Sequence, residues 1–143
     1  MPTTFFLIAV LLSLLVHLFL LVAQWVSQPW NLTGLVPLGL GVWLNLSADR
    51  QFKAANTTVK PFEVSTVLVK SGAFRVTRNP MYLGFVSILL GEAILLRSLS
   101  PLIVAIAYAV LVKVKFISIE ERMLADRFGT EWEEYASKVR RWL

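Results

Sequence analysis

Two short polar clusters contain the side chains of this sequence that are best suited to chemistry. Residues 78–82 (Arg-Asn-Pro-Met-Tyr) lie where a basic loop meets an apolar segment, and Glu120 and Glu121 lie where the next apolar segment gives way to polar sequence. Guanidinium groups and the free N–H groups at a helix start bind anions, whereas a carboxylate suits an ammonium or sulfonium ligand. Placed together at one membrane face, they favour a site that takes one substrate from water and another from lipid.

Each of these residues also has a structural interpretation. Adjacent glutamates point about 100° apart on a helix, so Glu120 and Glu121 are not a paired acid and base for one bond. One can face a pocket while the other pairs with Arg122 or a loop cation, or both can lie on a solvated face. Arg75 and Arg78 are either anchors on the positive side of a membrane or part of an anion subsite.

Three further polar side chains lie within or beside apolar sequence. Tyr82 is one turn into its segment, where an interfacial aromatic residue is the default interpretation. Glu92 lies inside an apolar segment, and a carboxylate in that environment requires a partner. Arg97 or His17 is the expected partner, and we predict structural rather than catalytic roles for Glu92 and His17.

The composition predicts an integral membrane protein. The 143 residues are 57% hydrophobic and 16% charged, whereas a soluble domain is about 25% charged. This length accommodates about four membrane spans and no further domain, so residues 1–143 are expected to form a single domain. The absence of cysteine excludes disulfides, Cys-ligated metals and thiol nucleophiles. With His17 as the single histidine, no metal site is predicted.

The pattern of apolar segments predicts an all-α fold with about four transmembrane helices and short amphipathic helices at the C-terminus. Asn79 is expected to be the N-cap of the third helix and Pro80 its first residue. Gly129 is expected to end a helix, with Thr130 and Glu133 forming a capping box for the next one. Glycines at 34, 39 and 41 permit close helix packing. The four predicted spans are 4–26, 32–46, 80–96 and 101–116.

The distribution of charge predicts the orientation. Apart from Arg97, every Lys and Arg lies in residues 50–78 or 113–141. By the positive-inside rule, these regions and both termini are expected in the cytoplasm. The net charge of +5 is explained by this bias, so nucleic-acid binding is not predicted. The expected protein is multi-pass, with a cytoplasmic site formed by residues 57–84 and 117–142.

Several ordered motifs give the sequence a resemblance to a known family. Residues 68–84 contain a Gly-x-Phe step followed by Arg-Asn-Pro-x-Tyr-x-Gly; Glu120 and Glu121 follow the next apolar segment, and residues 128–135 read Phe-Gly-x-Glu-Trp-x-x-Tyr. This set resembles the isoprenylcysteine carboxyl methyltransferases and their phospholipid N-methyltransferase relatives, over residues 57–142.

The resemblance implies a membrane methyltransferase that uses S-adenosyl-L-methionine and a lipophilic methyl acceptor. Glu120 would bind the ammonium of the methyl donor, and Asn79 with the N–H groups at the helix start would donate to its carboxylate. Arg75 and Arg78 are candidates for positioning a substrate or carboxylate. The resemblance places these residues in the cofactor pocket: Thr66, Val67, Leu68, Val69, Phe74, Asn79, Pro80, Met81, Tyr82 and Glu120.

Two positions differ from the family pattern. Asn79 stands where a histidine is common, and Phe116 stands where the prenylcysteine enzymes have a substrate-binding arginine. The acceptor is therefore left open among a prenylated cysteine carboxylate, a lipid amine and a small thiol. Two other interpretations are a non-catalytic membrane protein of the same fold and a reductase similar to the steroid 5α-reductases.

Overall fold

A computed structural model describes residues 2–20, 23–57 and 66–143, and this part of the chain is helical and has no β-strand. Short 3₁₀ turns at Trp30–Gly34 and Gly72–Arg75 precede α2 and α3, and a π-helical turn at Lys113–Ile117 joins α4 to α5. The six helices are α1 (Pro2–Phe19), α2 (Leu35–Ala54), α3 (Pro80–Leu95), α4 (Leu99–Val112), α5 (Ser118–Phe128) and α6 (Thr130–Lys138).

In the part of the chain that the structure describes, two helices are long and apolar enough to cross a membrane, judged by length and composition, which is fewer than the four predicted. They are α1 and the continuous helix Leu99–Phe128. The third apolar helix, α3, has only 16 residues. The second predicted span extends as a helix to Ala54, and its last turns carry Asp49, Arg50 and Lys53, which lower its mean hydropathy.

The first predicted span (4–26) ends as a helix at Phe19, earlier than expected, although residues 21–22 lie outside the described residues. The chain that follows pairs with the turn between α3 and α4 instead. The Trp25 N–H donates to the Arg97 carbonyl at 3.2 Å, and the Arg97 side chain donates from Nε to the Val26 carbonyl at 3.0 Å. Arg97 therefore stabilises this connection. The prediction that Arg97 or His17 is the partner of Glu92 is wrong, because among the described residues neither side chain bonds to that carboxylate.

The helices α2 and α3 pack through facing glycines. A Cβ atom on Gly34 would lie 2.6 Å from the Gly91 carbonyl oxygen, and one on Gly84 would lie 2.8 Å from the Gly41 carbonyl oxygen. The two backbones are therefore in direct contact, which small residues permit. Gly39 was predicted to have the same role, but a Cβ there would have no neighbour within 4 Å.

The principal core lies between α1, α3 and α4. Leu89 of α3 and Val112 of α4 are almost completely buried there, and Phe6 of α1 stacks on Phe85 of α3 with ring centroids 4.6 Å apart. This core fixes the start of α3 relative to the end of α4. The two polar clusters of the sequence are therefore held on one side of the bundle.

The last two helices are separated by Gly129, which has a positive φ of 50° and ends α5 as predicted. The predicted capping box is wrong, because Gly129 is itself the N-cap of α6 and no side chain caps that helix. Trp132 and Tyr135 of α6 pack with Leu68 in a second, smaller cluster. This cluster holds α6 against the segment that precedes α3.

Candidate active site

A cavity of about 250 Å³ lies between the start of α3, the 3₁₀ turn before it, the first turn of α5, and α6. The cavity brings together the two polar clusters that the sequence singled out. Seven predicted residues line it: Phe74, Arg78, Asn79, Pro80, Met81, Tyr82 and Glu120. The lining residues that sequence reasoning did not assign to a pocket are Pro2, Thr3, Phe52, Phe85, Glu121, Leu124 and Trp132.

Glu120 is joined to the first turn of α3. The Tyr82 hydroxyl donates a 2.7 Å hydrogen bond to Glu120 Oε1, and both side chains line the cavity. This bond uses one lone pair of the carboxylate and leaves its other oxygen without a partner among the described residues. Glu120 is thus oriented by α3 and retains the capacity to bind a cation.

Glu121 is the buried member of the pair and is surrounded by donors. Arg141 donates to its Oε2 from Nε at 3.0 Å and from Nη2 at 2.5 Å. Arg78 Nε lies 3.4 Å from Oε1 in an ion pair that lacks hydrogen-bond geometry. The sequence left either Arg122 or a loop cation as the partner, and the structure places the loop residue Arg78 and the C-terminal Arg141 against Glu121.

Asn79 occupies the N-cap position of α3 as predicted, but its side chain makes no capping bond. Its Nδ2 donates to the Arg141 carbonyl at 3.1 Å and to Glu121 Oε1 at 3.4 Å. Both partners are acceptors, so chemistry fixes the orientation of the amide. The Oδ1 atom has no partner among the described residues, and it offers an acceptor rather than the donor predicted from the sequence.

The first turn of α3 supplies backbone donors to the site. Pro80 has no N–H, and the Leu83 N–H donates to the Asn79 carbonyl at 3.0 Å. The N–H groups of Met81 and Tyr82 therefore have no acceptor within the helix. Because both residues line the cavity, this helix start can bind an anion with two free amides.

Aromatic and apolar groups form the remaining wall. Phe52 of α2 packs edge-to-face on Phe74 with centroids 5.3 Å apart, and the Arg78 guanidinium lies 5.5 Å from the centroid of the Trp132 ring. The Tyr135 hydroxyl donates to the Phe74 carbonyl at 2.7 Å. Burial raises the pKa of Tyr135 to about 12, so this hydroxyl stays protonated and keeps its bond at neutral pH.

Five predicted residues lie outside the lining. Arg75 is exposed, as are Thr66 and Val67, and the Thr66 hydroxyl bonds to Thr57 at 3.3 Å. Leu68 and Val69 are buried, but they pack behind the wall, against the α6 cluster and against Phe74 respectively. Residues 58–65 of the predicted region 57–84 lie outside the described residues.

The sequence did not predict which residues surround Phe116 and Arg141. Phe116 is buried and stacks near Tyr82, with centroids 6.3 Å apart. Nothing in the local sequence connects Arg141 to Glu121, so this ion pair was not predictable from the sequence. Trp132 lies in the Phe-Gly-x-Glu-Trp-x-x-Tyr motif of residues 128–135, and that motif could have identified it as a site residue. No sequence pattern pointed to Phe52.

The arrangement can bind a ligand that carries both charges and an aromatic group. It offers a carboxylate for a cation, two free amides for an anion, and apolar walls for a flat ring. No group of three or more His, Cys, Asp or Glu residues suited to a metal ion occurs in the described ranges 2–20, 23–57 and 66–143. The combination of one carboxylate with two backbone amides suits a small zwitterionic ligand.

Known proteins share sequence similarity with this chain. The yeast (Saccharomyces cerevisiae) protein-S-isoprenylcysteine O-methyltransferase is 40% identical over 79 residues, which cover 54% of this chain and 32% of the yeast protein. The chain thus matches about a third of that enzyme. No solved structure matches this chain. A family model for phospholipid methyltransferases matches residues 29–131, well over half of the sequence. The chain belongs to the phospholipid methyltransferase family.

Proposed function

We propose that this protein is a membrane methyltransferase that uses S-adenosylmethionine and methylates a lipophilic or amphiphilic acceptor. The observation that carries the proposal is the convergence of Glu120 and the start of α3 on one cavity, joined by the 2.7 Å bond from Tyr82 to Glu120. When bound, S-adenosylmethionine supplies a methyl group activated by its sulfonium.

The residues of the cavity fit the parts of this cofactor. Glu120 would hold the ammonium, and the free amides of Met81 and Tyr82 would hold the carboxylate. The Asn79 Oδ1 would accept a bond from the ammonium or from a ribose hydroxyl. Phe74 and its apolar neighbours would enclose the nucleoside, with Leu68 and Val69 supporting that wall from behind.

The contribution of the chain to the reaction is positioning and exclusion of water. Displacement at a sulfonium methyl group is an in-line process, and its rate depends on how well donor and acceptor are aligned. Phe85 and Tyr82 bring the apolar core of the bundle up to the cavity. A lipid acceptor would approach along this apolar side, away from water.

The acceptor that fits best is a lipid amine. Arg78 is the only cation among the described residues that line the cavity, and it pairs with Glu121. Phe116 supplies an apolar ring where the prenylcysteine enzymes have an arginine. An acceptor with a carboxylate would lack a counter-ion here, whereas an uncharged amine needs none. The likeness to the yeast enzyme makes a prenylated cysteine carboxylate the second candidate.

A methyl-transfer assay on membranes that contain the protein tests both the proposed methyltransferase activity and the preference for a lipid amine. Labelled S-adenosylmethionine is supplied with phosphatidylethanolamine, a farnesylated cysteine or a small thiol, and membranes with Glu120→Gln are the control. We expect label in the lipid amine and background counts in the control. Label in the farnesylated cysteine instead would contradict the amine preference but keep the methyltransferase. Equal counts in wild-type and control membranes for all three acceptors would contradict the proposed function.

We further propose that α1, α2, α3 and α4 all cross the membrane, with the site on the cytoplasmic side. The proposal is supported by the basic residues, because Arg97 is the only Lys or Arg between residues 79 and 112. A reporter fused after Leu143 is expected to give a cytoplasmic signal, and one inserted at Ser98 the opposite signal. A C-terminal reporter on the far side of the membrane would contradict this topology.

A further inference from the structure

The last residues of the chain, 139–143, leave α6 and run across the start of α3; we call this segment the C-terminal strap. The Arg78 N–H donates to the Arg140 carbonyl at 3.0 Å. The Arg141 carbonyl accepts two side-chain bonds, from Thr77 Oγ1 and from Asn79 Nδ2, each at 3.1 Å. The strap is therefore bonded to the same residues that begin the candidate site.

The side chain of Arg141 reaches the site from this strap. It makes two hydrogen bonds to Glu121 Oε2, while the neighbouring Arg78 makes none with Glu121. The side chain of Glu121 is only 11% exposed and that of Arg141 is 37% exposed. Arg141 is thus the cation that compensates most of the charge of a buried carboxylate, and leaving such a charge uncompensated is costly.

The position of Glu121 explains why neutralising its negative charge matters for a bound ligand. Glu121 Oε1 lies 3.4 Å from Nδ2 of Asn79, the N-cap residue of α3, and Glu121 lines the same cavity as Met81 and Tyr82. An uncompensated negative charge at this point would repel a ligand carboxylate bound to the amides of these two residues. It would also compete with Glu120 for the ammonium of the ligand.

We propose that Arg141 is a positioning residue for the amino-acid end of the methyl donor, an inference that rests on the function proposed above. Through Glu121 it keeps the charge beside the anion subsite neutral, and through its carbonyl it fixes the amide of Asn79. The side chain and the carbonyl of Arg141 are therefore a functional part of the site. A role limited to packing would affect every ligand of the cavity alike.

Binding of two nucleosides to the full chain in detergent tests this inference. S-adenosylhomocysteine carries the amino-acid end, and 5′-methylthioadenosine lacks it. Arg141→Gln is expected to weaken binding of S-adenosylhomocysteine at least tenfold and to leave the Kd of 5′-methylthioadenosine within about twofold. Arg141→Lys keeps the charge and is expected to restore most of the affinity.

Arg140→Gln is the matched control, because the Arg140 side chain is exposed and its single described bond is a 3.5 Å contact with the Leu143 carbonyl. This variant is expected to bind both nucleosides as the wild type does. Equal weakening of both nucleosides by Arg141→Gln, or unchanged binding of both, would overturn the inference and leave the proposed function standing. Failure of the wild type to bind S-adenosylhomocysteine would instead contradict the proposed function itself.

Discussion

Replacing Glu120 with alanine is expected to weaken binding of S-adenosylhomocysteine by at least about 30-fold. Truncating one partner of a buried, hydrogen-bonded charge pair costs roughly 2 to 5 kcal/mol, and 2 kcal/mol corresponds to about 30-fold in Kd. Glu120 is the lining carboxylate that is not neutralised by an arginine among the described residues. Titration calorimetry in detergent measures the change.

The substitution also removes the acceptor of the Tyr82 hydroxyl, and an unsatisfied buried hydroxyl costs about 1 to 3 kcal/mol of stability. Glu120→Gln keeps an acceptor oxygen for Tyr82 while it removes the charge, and it should lose the same affinity without that loss of stability. Glu133→Ala, on the exposed face of α6, is the control and should bind normally. Wild-type affinity in Glu120→Gln would contradict the assignment of the ammonium to this carboxylate.

The same titration separates the other interpretations of the sequence. A non-catalytic protein of this fold would bind no S-adenosylhomocysteine in the wild-type form. A reductase similar to the steroid 5α-reductases would bind NADPH instead. Saturable binding of S-adenosylhomocysteine that is lost in Glu120→Gln would support the methyltransferase over both.

Gly41→Ala is expected to destabilise the protein by about 2 to 3 kcal/mol, the typical cost of overpacking a tight interface. A Cβ on Gly41 would collide with the Gly84 carbonyl oxygen and would lie 2.7 Å from Ile88 Cγ1. The Gly84 oxygen belongs to the backbone of α3 and cannot move aside as a side chain can. The helices α2 and α3 must therefore separate, and the thermal midpoint should fall by roughly 5 to 10 °C.

Gly39→Ala is the matched control in the same helix, because a Cβ there would meet no atom within 4 Å. Alanine is favoured over glycine in a helix interior by about 0.5 to 1 kcal/mol, so this variant should be as stable as the wild type or slightly more stable. Differential scanning fluorimetry in one detergent compares the two. Equal midpoints for the two variants would contradict the close contact of α2 with α3.

Local sequence was sufficient for several elements of the structure. Pro80 can begin a helix but cannot continue one, so the start of α3 was predictable to the residue. Gly129 ends α5 because glycine adopts a positive φ without strain. The capping box at Thr130 failed for a related reason: Gly129 is followed at once by the first residue of α6, so Thr130 lies inside the helix.

The end of α1 and the partner of Arg97 were not predictable in this way. The apolar run 4–26 fits one long helix, but Trp25 and Val26 bond to the turn that contains Arg97. These two segments are about 70 residues apart in sequence, as the separation of 71 between Arg97 and Val26 shows. The packing of the helices between these segments decides which distant residue bonds to a backbone N–H or carbonyl group.

The sequence by itself determined the helical class, the start of α3, and the residue types that could bind a charged ligand, because each follows from local backbone preference or from composition. The tertiary structure alone decided that Glu120 faces the cavity with Tyr82 as its donor, that Glu121 is compensated by Arg141, and that Asn79 presents an oxygen rather than a donor. Each of these depends on a partner 20 or more residues away. Hydrogen-bonding roles are set by whichever group the fold places within about 3.5 Å, and a one-dimensional pattern does not contain that distance.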